Sequence, residues 1–136
     1  MSDIIERTLE LQASPGEVWR ALTEPAGLAG WFSDRAEVHL KGDEGCFEWD
    51  EHGRYAMRIE ACEPMTRFAW RWARDPGVPL EQSPSTLVEW SLTPREDGGT
   101  TLFLRESGFK RDEDRQQNEG GWTAELGELV ELLAAA

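Results

Sequence analysis

Two ionisable side chains sit where a strand pattern calls for apolar ones, and they are the first places to look for chemistry. In "IIERTLELQ", Ile5, Arg7, Leu9 and Leu11 share one phase of a two-residue period, with Glu6, Thr8 and Glu10 on the other. In "TTLFLRESGF", an odd-length loop before the segment turns Leu102, Leu104 and Glu106 inward. A two-residue Asp97-Gly98 turn would instead turn Phe103 and Arg105 inward; the odd loop is the preferred reading. An inward guanidinium and carboxylate can close on each other as an internal ion pair. Alternatively they can orient a ligand at the base of a cavity, or Glu106 can serve as a general acid or base.

The remaining reactive side chains carry weaker signals. His39 falls on an edge-strand segment and His52 in a hairpin loop beside Glu51, neither with a Ser or Cys in a nucleophile setting. No HExxH, phosphate-loop or dinucleotide motif occurs. One imidazole among the flexible carboxylates of "DEHGR" makes a poor metal site. The expectation is therefore no assigned catalytic residue, no cofactor and no metal. Cys46 and Cys62 are both placed on the outer face, roughly 13 Å apart at ~3.3 Å per residue. That distance is beyond disulfide reach, so both are expected as free thiols.

Aromatic rings are the other resource, with seven Trp in 136 residues. Each can bury about 150–250 Å², so they must dominate the interior. The elements that gather them can be read from spacing. "SPGEVWRAL" starts a helix, with Ser14 as N-cap, Pro15 at the first position and Glu17 completing a capping box. A second short helix follows Thr23-Glu24-Pro25 and carries Leu28, Trp31 and Phe32.

From Ala36 to Phe109 the period is two. "CFEWDEHGRYAMRIEA" reads as a hairpin with Glu51-His52-Gly53 as its loop, which sets Phe47 opposite Met57 and Trp49 opposite Tyr55. A turn near Pro64-Met65 sets Ile59 opposite Trp70 and Met57 opposite Trp72, and the same face continues to Ala61. Both turns leave the large apolar residues on one side, which a one-residue slip would destroy. Outside, Arg58, Arg71, Glu89 and Glu48 form a solvated charge ladder. "DPGVPLEQSPS" is long enough to be a rim or flap, and Val88, Trp90 and Leu92 then point inward. "GWTAELGELVELLAAA" closes the chain as a helix whose apolar face is Trp122, Leu126, Leu129, Val130 and Leu133, with Glu125, Glu128 and Glu131 opposite.

The fold class is accordingly α+β: a strand, two short helices, about six further antiparallel strands, and a long final helix covering the sheet's inner face. Residues 1–136 are read as one domain. A net charge of -13, from 27 acidic against 14 basic residues, repels phosphate backbones and anionic lipid. Nucleic acid and membrane are therefore set aside as partners. No segment reaches the ~20 apolar residues of a membrane span, and a cytoplasmic monomer or homodimer is expected.

This order of elements resembles the activator of heat-shock protein 90 ATPase homologue family, a branch of the START-like, SRPBCC, birch-pollen-allergen-like helix-grip superfamily. The resemblance is carried by Ser14-Pro15-Glu17-Val18-Trp19, by Trp31-Phe32, by "ESGF" at Glu106–Phe109, and by Gly121-Trp122. It implies a curved sheet of six to seven strands gripping the last helix, often around an apolar cavity that binds lipids, hormones or polyketides. It also implies that the strands of Arg7 and Glu106 are antiparallel neighbours, so that the two pair. Loss of Arg7 would then strand a buried carboxylate at a cost of about 3–5 kcal/mol. Relatives often carry His where this chain has Glu106.

The expected function is binding of a small hydrophobic or aromatic molecule between sheet and helix. Trp49, Tyr55, Met57, Ile59, Phe68, Trp70, Trp72, Trp90, Leu104 and Trp122 are the candidate lining, with Arg7 and Glu106 as polar anchors. Two alternatives stand beside it. One is a stress-response interaction module with a chaperone partner. The other is a cyclase, dehydratase or hydrolase using Glu106.

Overall fold

The computed structural model describes residues 3–134. Strand β1 (Ile4–Leu11) leads into helix α1 (Pro15–Thr23) and helix α2 (Pro25–Ala29). Strands β2 (Arg35–Glu37), β3 (Glu44–Trp49), β4 (Gly53–Glu63), β5 (Arg67–Ala73), β6 (Ser85–Pro94) and β7 (Thr100–Ser107) follow, and helix α3 (Asp112–Ala134) ends the fold. The sheet order is β1-β7-β6-β5-β4-β3-β2, with every neighbouring pair antiparallel. This is the α+β helix-grip arrangement, with seven curved strands around the long final helix.

Local chemistry explains the elements. The Ser14 side chain accepts from the Glu17 backbone N–H while the Glu17 carboxylate accepts from the Ser14 backbone, and Pro15 pre-sets the first helical turn. Pro25 ends α1 and opens α2, whose last turn delivers Trp31 and Phe32 to the interior. The Trp31 indole donates to the Ala21 carbonyl at 2.8 Å, which locks the two short helices together. Strands β6 and β7 alternate strictly: Thr86, Val88, Trp90 and Leu92 are buried, as are Leu102, Leu104 and Glu106. The odd-loop phase of β7 is thus the one adopted. The core joins these residues to Phe47, Met57, Ile59, Phe68 and Trp70 of the sheet and to Trp122, Leu126 and Leu129 of α3.

The structure corrects the expected pattern at several points. Trp49 pairs with Gly53 and Phe47 with Tyr55, two residues from the expected register. The loop is therefore Asp50-Glu51-His52, and Gly53, at φ +100°, closes it. A shift of two preserves the face, so the aromatics still point inward. Ile59 opposite Trp70 and Met57 opposite Trp72 hold as expected.

Between Ile59 and Ala61 the β4–β5 register shifts by a bulge, which inverts the phase of the strand's end. Cys62 consequently pairs with Phe68 and packs against the core, where burial raises its thiol pKa. Cys46 is on the outer face but buried, opposite Ala56. Both thiols are free. The segment expected to be a rim lies against that outer face. The Gly77 N–H donates to the Arg54 carbonyl at 2.8 Å and the Leu80 N–H to the Glu44 carboxylate at 3.0 Å.

Helix α3 begins nine residues earlier than Gly121, at Asp112. Asp112, Glu113 and Asp114 occupy its first turn, where carboxylates oppose the positive end of the helix dipole. Val130, expected on the apolar face, is exposed. No helix among the described residues is long and apolar enough to cross a membrane.

Candidate ligand cavity

A cavity of about 380 Å³ opens between the ends of β3, β4 and β5 and one face of α3. Helix α3 contributes Gln117, Asn118, Gly121, Trp122 and Glu125, a stripe repeating every three to four residues along one side. The sheet contributes Trp49, Tyr55, Trp72, Ala73, Arg74 and Thr86, the β3–β4 hairpin adds His52, and the segment after α2 adds Phe32.

Phe32 is the hub of the ring cluster. It stacks on Trp122 at 13° with centroids 5.5 Å apart and lies 5.1 Å from Trp49 in an edge-on contact. Trp72 lies 5.7 Å from Phe32 and 6.2 Å from Trp122. The polar handles of these rings are all turned away from the cavity. Trp49 donates to the Phe32 carbonyl at 2.8 Å, while Trp72 and Trp122 each donate to Glu106 at 2.8 Å.

Glu106 is fully buried, and its carboxylate is held without a cation. One oxygen accepts from Trp122 and the other from Trp72 and the Thr86 hydroxyl, while the Asn118 amide reaches both at 3.1 Å. Every donor is neutral, so the carboxylate is solvated by preorganised dipoles in place of an ion pair. Arg74 acts one step removed, donating to the Asn118 amide oxygen at 2.7 Å and so turning the amide nitrogen towards Glu106. Trp72, Thr86, Asn118 and Trp122 all line the cavity, and Glu106 stands immediately behind them. Its position suits fixing the wall and not touching a bound molecule.

The expected Arg7–Glu106 pair is not formed. Ile5, not Arg7, lies opposite Glu106 across the β1–β7 ladder. Arg7 instead meets Glu119 of α3 at 3.7 Å, with the two side chains 32% and 41% exposed. Four of the candidate lining residues are brought together at the cavity: Trp49, Tyr55, Trp72 and Trp122. Met57, Ile59, Phe68, Trp70, Trp90 and Leu104 stand in the packed interior, one layer deeper.

Sequence reasoning passed over Phe32, His52, Arg74, Thr86, Gln117, Asn118 and Glu125 as lining. Glu125 had a legible signal, since it follows Trp122 by three residues and so shares its helix face. Its carboxyl pKa is pushed up to about 7, first by burial and then by the nearby charges of Glu128 and Asp34. Among the described residues no group of three or more His, Cys, Asp or Glu side chains could hold a metal ion.

Comparisons with known proteins agree with the fold. The chain resembles protein MLL2253 from Mesorhizobium loti, at 24% identity and a TM-score of 0.83, with 98% of each chain covered. It resembles DynU16, a protein of the dynemicin biosynthetic locus, at 24% identity and a TM-score of 0.83. There, 98% of this chain covers 48% of that one, so the chain spans about half of that relative's length. The Aha1 dimer from Colwellia psychrerythraea matches at 21% identity and a TM-score of 0.79, over 96% of this chain and 95% of that one. These likenesses establish the shared fold. No curated protein matches the chain in sequence. The family described as Activator of Hsp90 ATPase homolog 1-like protein matches residues 12–134, from the end of β1 to the last turn of α3. That match takes in nearly the whole of the described fold, and the chain belongs to this family.

Proposed function

We propose that the protein binds a small, largely aromatic molecule in the cavity between the sheet and α3. The observation that carries the reading is the orientation of the ring N–H groups. Three indoles line a cavity of about 380 Å³, and each has its N–H satisfied by protein behind the wall. What these three indoles present to a guest is carbon, which gains free energy by leaving water at about 25 cal/mol per Å². The volume lies within the ~300–1,000 Å³ usual for small-molecule sites. Hydrophobic ligands are common among proteins of this fold, which supports the reading.

Gly121 provides a clean test. A Cβ added there meets nothing within 4 Å, although the residue borders the cavity, so a larger side chain can enter without disturbing the core. A neutral apolar fluorophore such as N-phenyl-1-naphthylamine should quench Trp emission saturably in the native protein. Gly121→Phe should abolish the saturable component while keeping the melting transition. Saturable binding that survives Gly121→Phe, or none in the native protein, would sink the proposal.

A further inference from the structure

The charges around the cavity are lopsided. Arg74 is its one Lys or Arg, and that guanidinium is already committed to α3. It donates to Asn118 and Gln117 at 2.7 Å each and meets the Asp114 carboxylate at 3.3 Å. The Glu125 side chain, in contrast, makes no hydrogen bond or ion pair among the described residues. Its charged neighbours are Glu128 and Asp34, both acidic. Asp34 accepts from the Asp50 backbone at 2.7 Å. His52 is the one imidazole on the wall.

We propose that the molecule taken by this cavity is a small organic cation, an aryl-ammonium compound, with its ammonium against Glu125 and its apolar body among Phe32, Trp49, Trp72 and Trp122. This rests on the cavity reading above and adds the ligand's charge to it. Electron-rich ring faces and a carboxylate without a counter-ion are the two devices that hold quaternary ammonium groups, each acting through the cation's weak hydration. An anion would meet the Glu125 carboxyl, with Glu128 and Asp34 behind it, and an arginine already committed to α3. A neutral guest would satisfy the rings and leave Glu125 as it is. The net charge of -13 acts in the same direction at long range, drawing cations towards the molecule and repelling anions.

The proton linkage follows from the same groups. Burial beside Glu128 and Asp34 leaves Glu125 partly protonated near neutrality, and a bound cation favours its ionised form. Affinity for the cation therefore rises as pH increases from about 5.5 to 8; the other charged or titratable groups around Glu125 are Glu128 and Asp34 beside it and His52, Tyr55 and Arg74 on the cavity wall.

The test uses competition against the neutral fluorophore. Benzyltrimethylammonium, its carbon isostere neopentylbenzene and the anion phenylmethanesulfonate share a body and differ in charge. At pH 8 the cation should displace the fluorophore at roughly one-tenth of the isostere's concentration or less. That preference should shrink towards unity at pH 5.5. In Glu125→Gln the pH 8 preference should fall at least fivefold, while His52→Gln should retain most of it. Equal displacement by cation and isostere would overturn the inference and leave the cavity reading intact, as would a preference for the sulfonate or one indifferent to Glu125→Gln. Failure of the fluorophore itself to bind would remove both.

Discussion

A buried carboxylate without a cation is the residue-scale feature on which the cavity wall depends. Gln at position 106 must present its amide nitrogen to one indole N–H or the other, so one donor is left unpaired whichever way the amide turns. Glu106→Gln should cost about 1–3 kcal/mol, the usual penalty for one buried unsatisfied group. Glu106→Leu abandons all four donors and should cost more than Gln in urea denaturation. Arg7→Ala should cost at most about 1 kcal/mol, because its partner is a half-exposed Glu119 and solvent screens the pair. Equal losses at the two positions would contradict this assignment. Glu125 has the opposite character. Its folded-state pKa is raised from 4.5 to about 7, so the folded protein holds this proton more tightly than the unfolded chain. The stability it contributes is present below about pH 4.5 and is lost as pH rises through about 7. Glu125→Gln should therefore raise Tm at pH 8, leave it nearly unchanged at pH 4, and flatten the profile between.

At the scale of elements, what the sequence reveals depends on whether a segment is held by apolar periodicity or by polar contact. Strands β6 and β7 sort their side chains by strict alternation, so the inner face of β6 was legible from Val88, Trp90 and Leu92, and that of β7 once the loop before it was read as odd in length. The β3–β4 hairpin kept its face despite a two-residue error, because side-chain direction repeats with that period. The bulge after Ile59 inserts one residue without a compositional mark, and Cys62 turned inward unannounced. The first half of α3 was illegible for a different reason. Between Asp112 and Glu119 the helix is tied down by Arg74, Arg115 and Asn118, and an apolar stripe starts only at Trp122. Glu106 read as inward from its phase, but its partners lie 12 to 34 residues away along the chain, beyond any local pattern. Two predictions belong here. Gly127→Ala, where a Cβ meets nothing within 4 Å, should stabilise α3 by about 0.5–1 kcal/mol. Ser14→Ala should destabilise the protein by about 0.5–2 kcal/mol through loss of the α1 cap. Denaturant midpoints check both.

For the molecule as a whole, sheet and final helix are joined in two ways, by an apolar core and by polar contacts, of which the carboxylate of Glu106 is the buried one. Ligand entry between them must respect that second joint. A ligand bound at a hundredfold excess over its Kd should add about 2.7 kcal/mol to the unfolding free energy, and calorimetry would register this as a rise in Tm that Gly121→Phe eliminates. The joint has a spectroscopic corollary as well. One indole on the sheet and one on the helix report on the same pair of oxygen atoms, so their ring N–H proton resonances should lie downfield and exchange slowly with deuterium. Anything that rotates or protonates Glu106 should shift both signals in concert. A guest that merely brushes one ring should move one alone, so the two peaks together would say which layer of the wall has been disturbed.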